Sequence, residues 1–148
     1  MADSDFKSKP ICFPGGWLPN SRGSIIGNFQ YKPDRSFKDG SGKVVCVIES
    51  SSTNDRKVGV GELCLADKFF SDCEVDGVLI FSLCGKSQYP PSPRSQAEYL
   101  DPYFRHLRSS GAPYGVKEIH FILEEAFESL RWFALDENFC ARAVSLTA

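Results

Sequence analysis

Histidine is scarce in this chain: His106 and His120 are the only two in 148 residues. They are too far apart for an H-x₃₋₅-H pair, and no two of the six cysteines (Cys12, Cys46, Cys64, Cys73, Cys84 and Cys140) lie within four positions of each other. The ligand spacing of a structural zinc site is therefore missing, and no metal or cofactor is expected. No apolar run approaches the roughly 20 residues of a spanning helix, so no membrane association is expected. The opening "MADSDFKSKP" has no apolar core of a signal peptide, and Asp3 and Asp5 stand where import peptides avoid acids. The expected compartment is the cytosol or nucleus, with no secretion. There thiols stay reduced, and an even cysteine count implies no disulfide framework. A basic stripe is also lacking. Lys and Arg total 17 against 19 Asp and Glu, and the densest basic cluster is Arg105, His106 and Arg108. Because phosphate affinity scales with the number of neutralised charges, nucleic acid is not an expected partner.

What is present is ordinary globular composition, 42% hydrophobic and 24% charged, in a length that suits one domain. A chain of this size buries roughly 68–70% of its unfolded surface and needs no staple. Twelve phenylalanines point to an aromatic core with rings to spare for a partner. Residues 1–23 read as an irregular segment, because "FPGGWLPNSRG" sets Trp17 and Leu18 among breakers. Residues 24–85 read as β-rich, with strands over 24–33, 43–50, 56–66 and 75–85. Asp39-Gly40 marks a hairpin turn, and the last run is the most apolar. Short connections favour an antiparallel meander. Residues 86–95 are a Pro/Ser-rich loop that carries Tyr89 and a Ser92-Pro93 pair, with a plain solvated loop as its simplest reading. Residues 96–148 read as helical. Asp101 is placed as N-cap with Pro102 at the first helical position, and a long amphipathic helix follows over 116–135. A rival reading makes 116–123 a strand and 124–135 a helix. The tail returns as a last strand or prolongs the helix. The expected fold is a single α+β domain, a mostly antiparallel four- or five-stranded sheet with C-terminal helices packed on one face.

The stretch "GVGELCLADKFF" (59–70) joins a glycine pair to Glu62, Cys64 and Asp67. A phosphate loop needs its glycines where a strand gives way to a helix, followed by Lys and Ser/Thr, and neither follows here. Read as a strand, Gly59 and Gly61 share a face on which a large ring or another backbone can lie flat. Glu49, Glu62, Asp72, Glu74 and Asp76 fall near strand ends, with Lys43, Lys57 and Lys68 available beside them. A hydrolase would need such carboxylates to converge in one cleft. A cysteine nucleophile would need His106 or His120 in reach. No G-x-S-x-G and no cysteine-protease signature is present, and no catalytic residue is assigned.

On the long-helix reading, Phe121 and Trp132 project from an acidic face with Glu125 and Glu128 between them. Exposed rings of that kind anchor partners. The expected function is therefore non-enzymatic: a small intracellular protein that binds another macromolecule, most naturally a protein, as an immunity, adaptor or host-interaction protein does. The contact residues are Phe121, Glu125, Glu128 and Trp132, with Trp17 and Tyr89 as secondary ones. The alternatives are a metal-dependent or Cys–His hydrolase and a small-ligand domain with a pocket lined by Phe29, Phe81 and Trp17. Oligomeric state is left open by the sequence.

Overall fold

The β-branched run "VVCVIES" starts the centre of the sheet as β3 (Val44–Ser51). It is met in hairpin fashion by β2 (Arg35–Lys38). The turn falls at Asp39, as its sequence suggests, and Asp39 Oδ1 accepts hydrogen bonds from the Ser41 and Lys43 amides. This architecture comes from a computed structural model describing residues 3–20, 26–27, 31–85 and 88–148. Half of the first expected strand, 24–33, falls outside those residues. Within it, Ile26 and Tyr31 form an isolated antiparallel bridge.

After β3 the chain departs from a meander. Residues 56–66 are not a strand but the first half of α2 (Arg56–Asp72). Alternation of Val58, Val60 and Glu62 imitates period two. The buried residues Leu63, Ala66, Phe69 and Phe70 instead follow helical spacing, and Asp55 caps the start by accepting from the Lys57 amide at 3.0 Å. The 17-residue crossover makes the next strand, β4 (Asp76–Leu83), parallel to β3. A second crossover repeats the move. Helix α3 (Pro93–Ser109) leads to β5 (Gly115–Leu123), again parallel. The α3 helix begins nine residues before its expected start. Ser92 caps it, Pro93 takes the first turn, and Pro102 is accommodated inside.

The long helix over 116–135 does not form. Its first eight residues belong to β5, and only α4 (Glu124–Ser129) is helical, which is the rival reading. A short α5 (Glu137–Arg142) precedes β6 (Val144–Thr147), which closes the far edge antiparallel to β5. At the opposite edge, β1 (Leu18–Pro19) pairs with β2, and a short α1 (Asp3–Lys7) stands before it. The fold is α+β, but the sheet is mixed and six-stranded, ordered β1-β2-β3-β4-β5-β6 among the described residues.

Both crossovers advance in the same direction across the sheet, so right-handed connections put α2 and α3 on one face. Leu63 and Phe70 of α2 and Leu100 and Phe104 of α3 pack there on Val47, Leu79, Phe81, Ile119 and Phe121. The other face is covered from both ends of the chain. Phe6, Ile11 and Phe13 meet Phe127, Trp132, Ala134 and Phe139 over Ile48, Ile80 and Ile122. Helices thus lie on both faces. Gly77 is required where β4 passes α2, since a Cβ there would strike the Phe70 ring. No helix among the described residues is long and apolar enough to cross a membrane.

Candidate functional site: a hollow beside buried acids

Strand pairing sets one lateral row on the α2/α3 face. Glu49 of β3 is the register partner of Phe81 in β4, which is the partner of Phe121 in β5. The two rings stack 5.1 Å apart and nearly parallel, at 10°. Above them the first turns of α2 and α3 converge. Gly59 and Glu62 extend the buried stripe of α2 toward its N-terminus, and Gln96 opens the stripe of α3 that continues through Leu100 and Phe104. Between the helices lies a hollow of about 10 Å³, lined by Ser51, Thr53, Asp55, Gly59, Glu62 and Gln96 over the Phe81–Phe121 pair. That is the space of about one water molecule. Absence of a side chain at Gly59 lets α3 come close: a Cβ there would stand 3.2 Å from Leu100 and 3.9 Å from Gln96 Oε1.

Of the acids beside this hollow, Glu49 is buried and Glu62 half-buried. Tyr31 donates its hydroxyl hydrogen to Glu49 Oε1 at 2.7 Å, and the Asp34 amide donates to Oε2 at 3.4 Å. Burial nevertheless lifts the Glu49 carboxyl to about 7, because desolvation penalises the charged form more than these donors stabilise it. Glu62 is lifted further, to about 8, by burial and then by the charges of Glu49 and Asp34. Burial, followed by the Glu49 charge, also holds the Tyr31 phenol well above its ordinary range. Glu62 Oε2 is buried and finds no hydrogen-bond partner among the described residues. Buried polar groups ordinarily find partners. Gln96 is only 8% exposed and lines the same hollow. Lys7 approaches Asp34 at 3.8 Å, and among the described residues no lysine or arginine lines the hollow.

Carboxyl groups that hold protons near neutral pH can donate or accept them, or become charged in response to a cation. Asp34, Glu49 and Glu62 interact electrically without converging as a ligand set. Among the described residues no group of three or more His, Cys, Asp or Glu side chains is arranged to hold a metal ion.

A second polar network lies on the opposite face. His120 Nδ1 is 2.7 Å from Ser145 Oγ, and Nε2 is 3.1 Å from Glu118 Oε2. Ser145 is the cross-strand partner of His120, and Glu118 lies two residues away on the same face. Serine, imidazole and acid are in contact here. However, the Glu118 side chain is 47% exposed and Ser145 is exposed, whereas the acid of a catalytic triad is buried to fix and stabilise the imidazolium. The arrangement is a cross-strand polar network. His106 lies exposed on α3. All six cysteines are free, and the Cys46 thiol is pushed up by complete burial.

The expected contact surface is not assembled. Phe121 is in β5 and 1% exposed, and Trp132 is 6% exposed between Phe6 and Phe127. With residues 116–123 in a strand, the two rings lie on opposite faces of the sheet. Glu128 is exposed on α4. Glu125 borders Gly85 in an open groove with Leu123 and Pro90 to Pro93. Tyr89 is exposed beside a shallow depression of about 300 Å³ that it shares with Ser52, Thr53, Asn54 and Gln88. Trp17 is half-buried against Phe13. The pocket expected from Phe29, Phe81 and Trp17 is not formed by the latter two, which pack on opposite faces; Phe29 lies outside the described residues.

Glu49 and Glu62 are expected near strand ends, and the structure places Glu49 in β3 but Glu62 in α2; Gln96 carries no expectation from the sequence. Helical spacing carries both signals. Gly59, Glu62, Leu63 and Ala66 form one stripe, with Glu62 half-buried, and Gln96, Leu100 and Phe104 another, with Gln96 buried. No family model matches the chain, and neither a curated protein nor a solved structure matches it.

Proposed function

We propose that this protein is a small-ligand-binding domain, with its site in the hollow where the carboxyl ends of β3, β4 and β5 meet the first turns of α2 and α3. One observation carries the reading. Glu62 holds a buried carboxyl oxygen without a partner among the described residues beside a water-sized space that the Gln96 side chain also lines, and leaving such a group unpaired costs about 1–3 kcal/mol. A ligand that pairs it recovers that cost. The location agrees with a general habit of sheets with parallel strands, which place ligands beyond the carboxyl ends of those strands. A fragment screen followed by NMR tests the reading. Fragments should shift the Gln96 side-chain amide and the Gly59 backbone amide together. A screen whose hits shift only residues elsewhere overturns it.

A macromolecular partner remains the second reading, favoured by one surface feature. Leu18 is 70% exposed in the short edge strand β1. Close by in sequence, Phe13, Pro14 and Trp17 line an apolar depression of about 190 Å³ with Leu135. Leu18→Asp should leave folding intact and weaken any such partner, as measured by co-purification from the native cell. Unchanged co-purification would remove this edge from consideration.

A further inference from the structure

We infer that two copies of this chain join edge to edge through β6, antiparallel about a twofold axis, so that one sheet continues into the other. The inference stands apart from the ligand site.

The backbone of β6 supplies the ladder. Ala148 donates its amide hydrogen to Lys117 O at 2.8 Å, and Leu146 and Val144 follow as register partners of Ile119 and Phe121 in β5. Hydrogen-bonded and non-bonded positions alternate along an antiparallel pair. Val144, Leu146 and Ala148 therefore turn their main chain toward β5, and Ser145 and Thr147 turn theirs away from the sheet. Thr147 O, one of these outward groups, accepts from Arg105 Nη1 of α3 at 2.6 Å and keeps a second lone pair. The Ser145 and Thr147 amides and the Ser145 carbonyl complete the outward set. Two such edges placed antiparallel, with Ser145 opposite the partner's Thr147, form four main-chain hydrogen bonds. In each pair the two residues exchange N–H and C=O.

Side chains select a second copy as the occupant. At a twofold axis a strand meets itself, so a charge on it would meet its own sign. Val144–Thr147 carries no charge, and Arg105, which reaches this edge from α3, is already paired with Asp101 at 3.1 Å. In the register above, Leu146 faces the partner's Leu146 on the α2/α3 side, where it is half-buried against the core. On the other side Ser145 faces the partner's Thr147. Apolar pairs and Ser–Thr pairs are both favourable across strands. A charged peptide would find no opposite charge on this strand to hold it.

The two edges of the sheet differ in the way this requires. Exposed edges are ordinarily blunted by very short strands, proline, lysine or bulges. At the far edge, β1 has two residues and ends in Pro19, and its neighbour β2 has a register shift between Phe37 and Lys38. The β6 edge has four residues, none of them proline or lysine, and pairs with β5 without a register shift.

Sedimentation velocity on the full chain, from micromolar to millimolar concentration, tests the association, and amide hydrogen exchange by NMR locates it. The mass should rise from one chain toward two. In the dimer the Ser145 and Thr147 amides should exchange at least tenfold more slowly than unstructured amides, and dilution should remove that protection. Thr147→Pro deletes an outward donor while leaving the β5 ladder whole, and should weaken the dimer at least tenfold; a thermal melt verifies that this variant is folded. A chain that stays monomeric at millimolar concentration overturns the inference. So does a dimer in which the Ser145 and Thr147 amides exchange freely, or one that a folded Thr147→Pro leaves equally tight. Should that variant fail to fold, the exchange of the two amides in the natural chain decides.

Discussion

The Tyr31 hydroxyl donates to Glu49 Oε1 at 2.7 Å across 18 positions of sequence, and neither group has free access to water. The bond lowers the Glu49 pKa against a larger upward push from burial. Tyr31→Phe should therefore move the Glu49 carboxyl above about 7 and cost about 1–3 kcal/mol at slightly alkaline pH, where a buried charge loses its donor. The cost should shrink near pH 5, where the folded state holds the proton in both proteins. Denaturant melts at the two pH values check this, and an equal cost at both would show the hydroxyl to be a packing group only.

Glu62 gives a second pH dependence. Its carboxyl moves from 4.5 to about 8, so the folded protein binds more protons than the unfolded chain between those values, and stability falls as pH rises across that window. Glu62→Gln removes the charge while keeping the shape. The variant should match the natural protein near pH 5 and exceed it by on the order of 2 kcal/mol near pH 8.5, or several degrees in Tm. Parallel pH–Tm curves for the two proteins would contradict the burial assigned to this acid.

Two glycines should respond in opposite directions. Gly61 lies inside α2 with open space around its missing Cβ, so Gly61→Ala should stabilise by about 0.5–1 kcal/mol through helix propensity. Gly77 sits where a Cβ would enter the Phe70 ring, so Gly77→Ala should cost about 1–3 kcal/mol or more from overpacking. A double-mutant cycle with Phe70→Leu should recover part of that loss. Additive losses would place the clash somewhere other than Phe70.

Trp132 is core, and its truncation should behave accordingly. Its ring packs edge-on to Phe6 at 5.9 Å and against Phe127 at 4.8 Å. Its backbone and that of Arg131 both occupy the left-handed region, at φ 61° and 56°, a conformation costing roughly 1–2 kcal/mol per residue. Burial of the ring opposes that cost. Trp132→Ala should lower stability by about 3–5 kcal/mol, read as a fall in Tm of about 10 °C or more. A small change would mean the ring is dispensable to the core.

The strands with unbroken apolar runs were legible. Most of 43–50 and of 75–85 falls in β3 and β4, buried on both faces as such runs imply. The Asp39 turn was legible too, because its side chain dictates the local hydrogen bonding. Reading failed where two periods coexist. In "RKVGVGELCLA" alternation of valine and glycine mimics a strand, and only the downstream Ala66, Phe69 and Phe70 reveal the helix, which then converts an antiparallel step into a parallel crossover. In "VKEIHFIL" both periods fit, and tertiary pairing with β4 and β6 decided for the strand. That choice removed Phe121 and Trp132 from a common surface. The two acids beside the hollow could be seen individually. Their proximity to Gln96 could not, because it depends on two crossovers folding to the same side.

The layer opposite α2 and α3 has a consequence for the order of events during synthesis. Cys12 exchanges backbone hydrogen bonds with Trp132 and Ala134, each at 2.9 Å, and Phe6 packs against the Trp132 ring more than a hundred residues later. The β2–β3 hairpin is local and can pair early, whereas each parallel pairing waits for a strand further along the chain. Phe13 gains Phe37 early, but Phe6 lacks its cover until residues 127–139 have left the exit tunnel. Phe6 stays exposed through most of the elongation of this domain, which makes the stretch around it a natural place for a chaperone to hold the nascent chain.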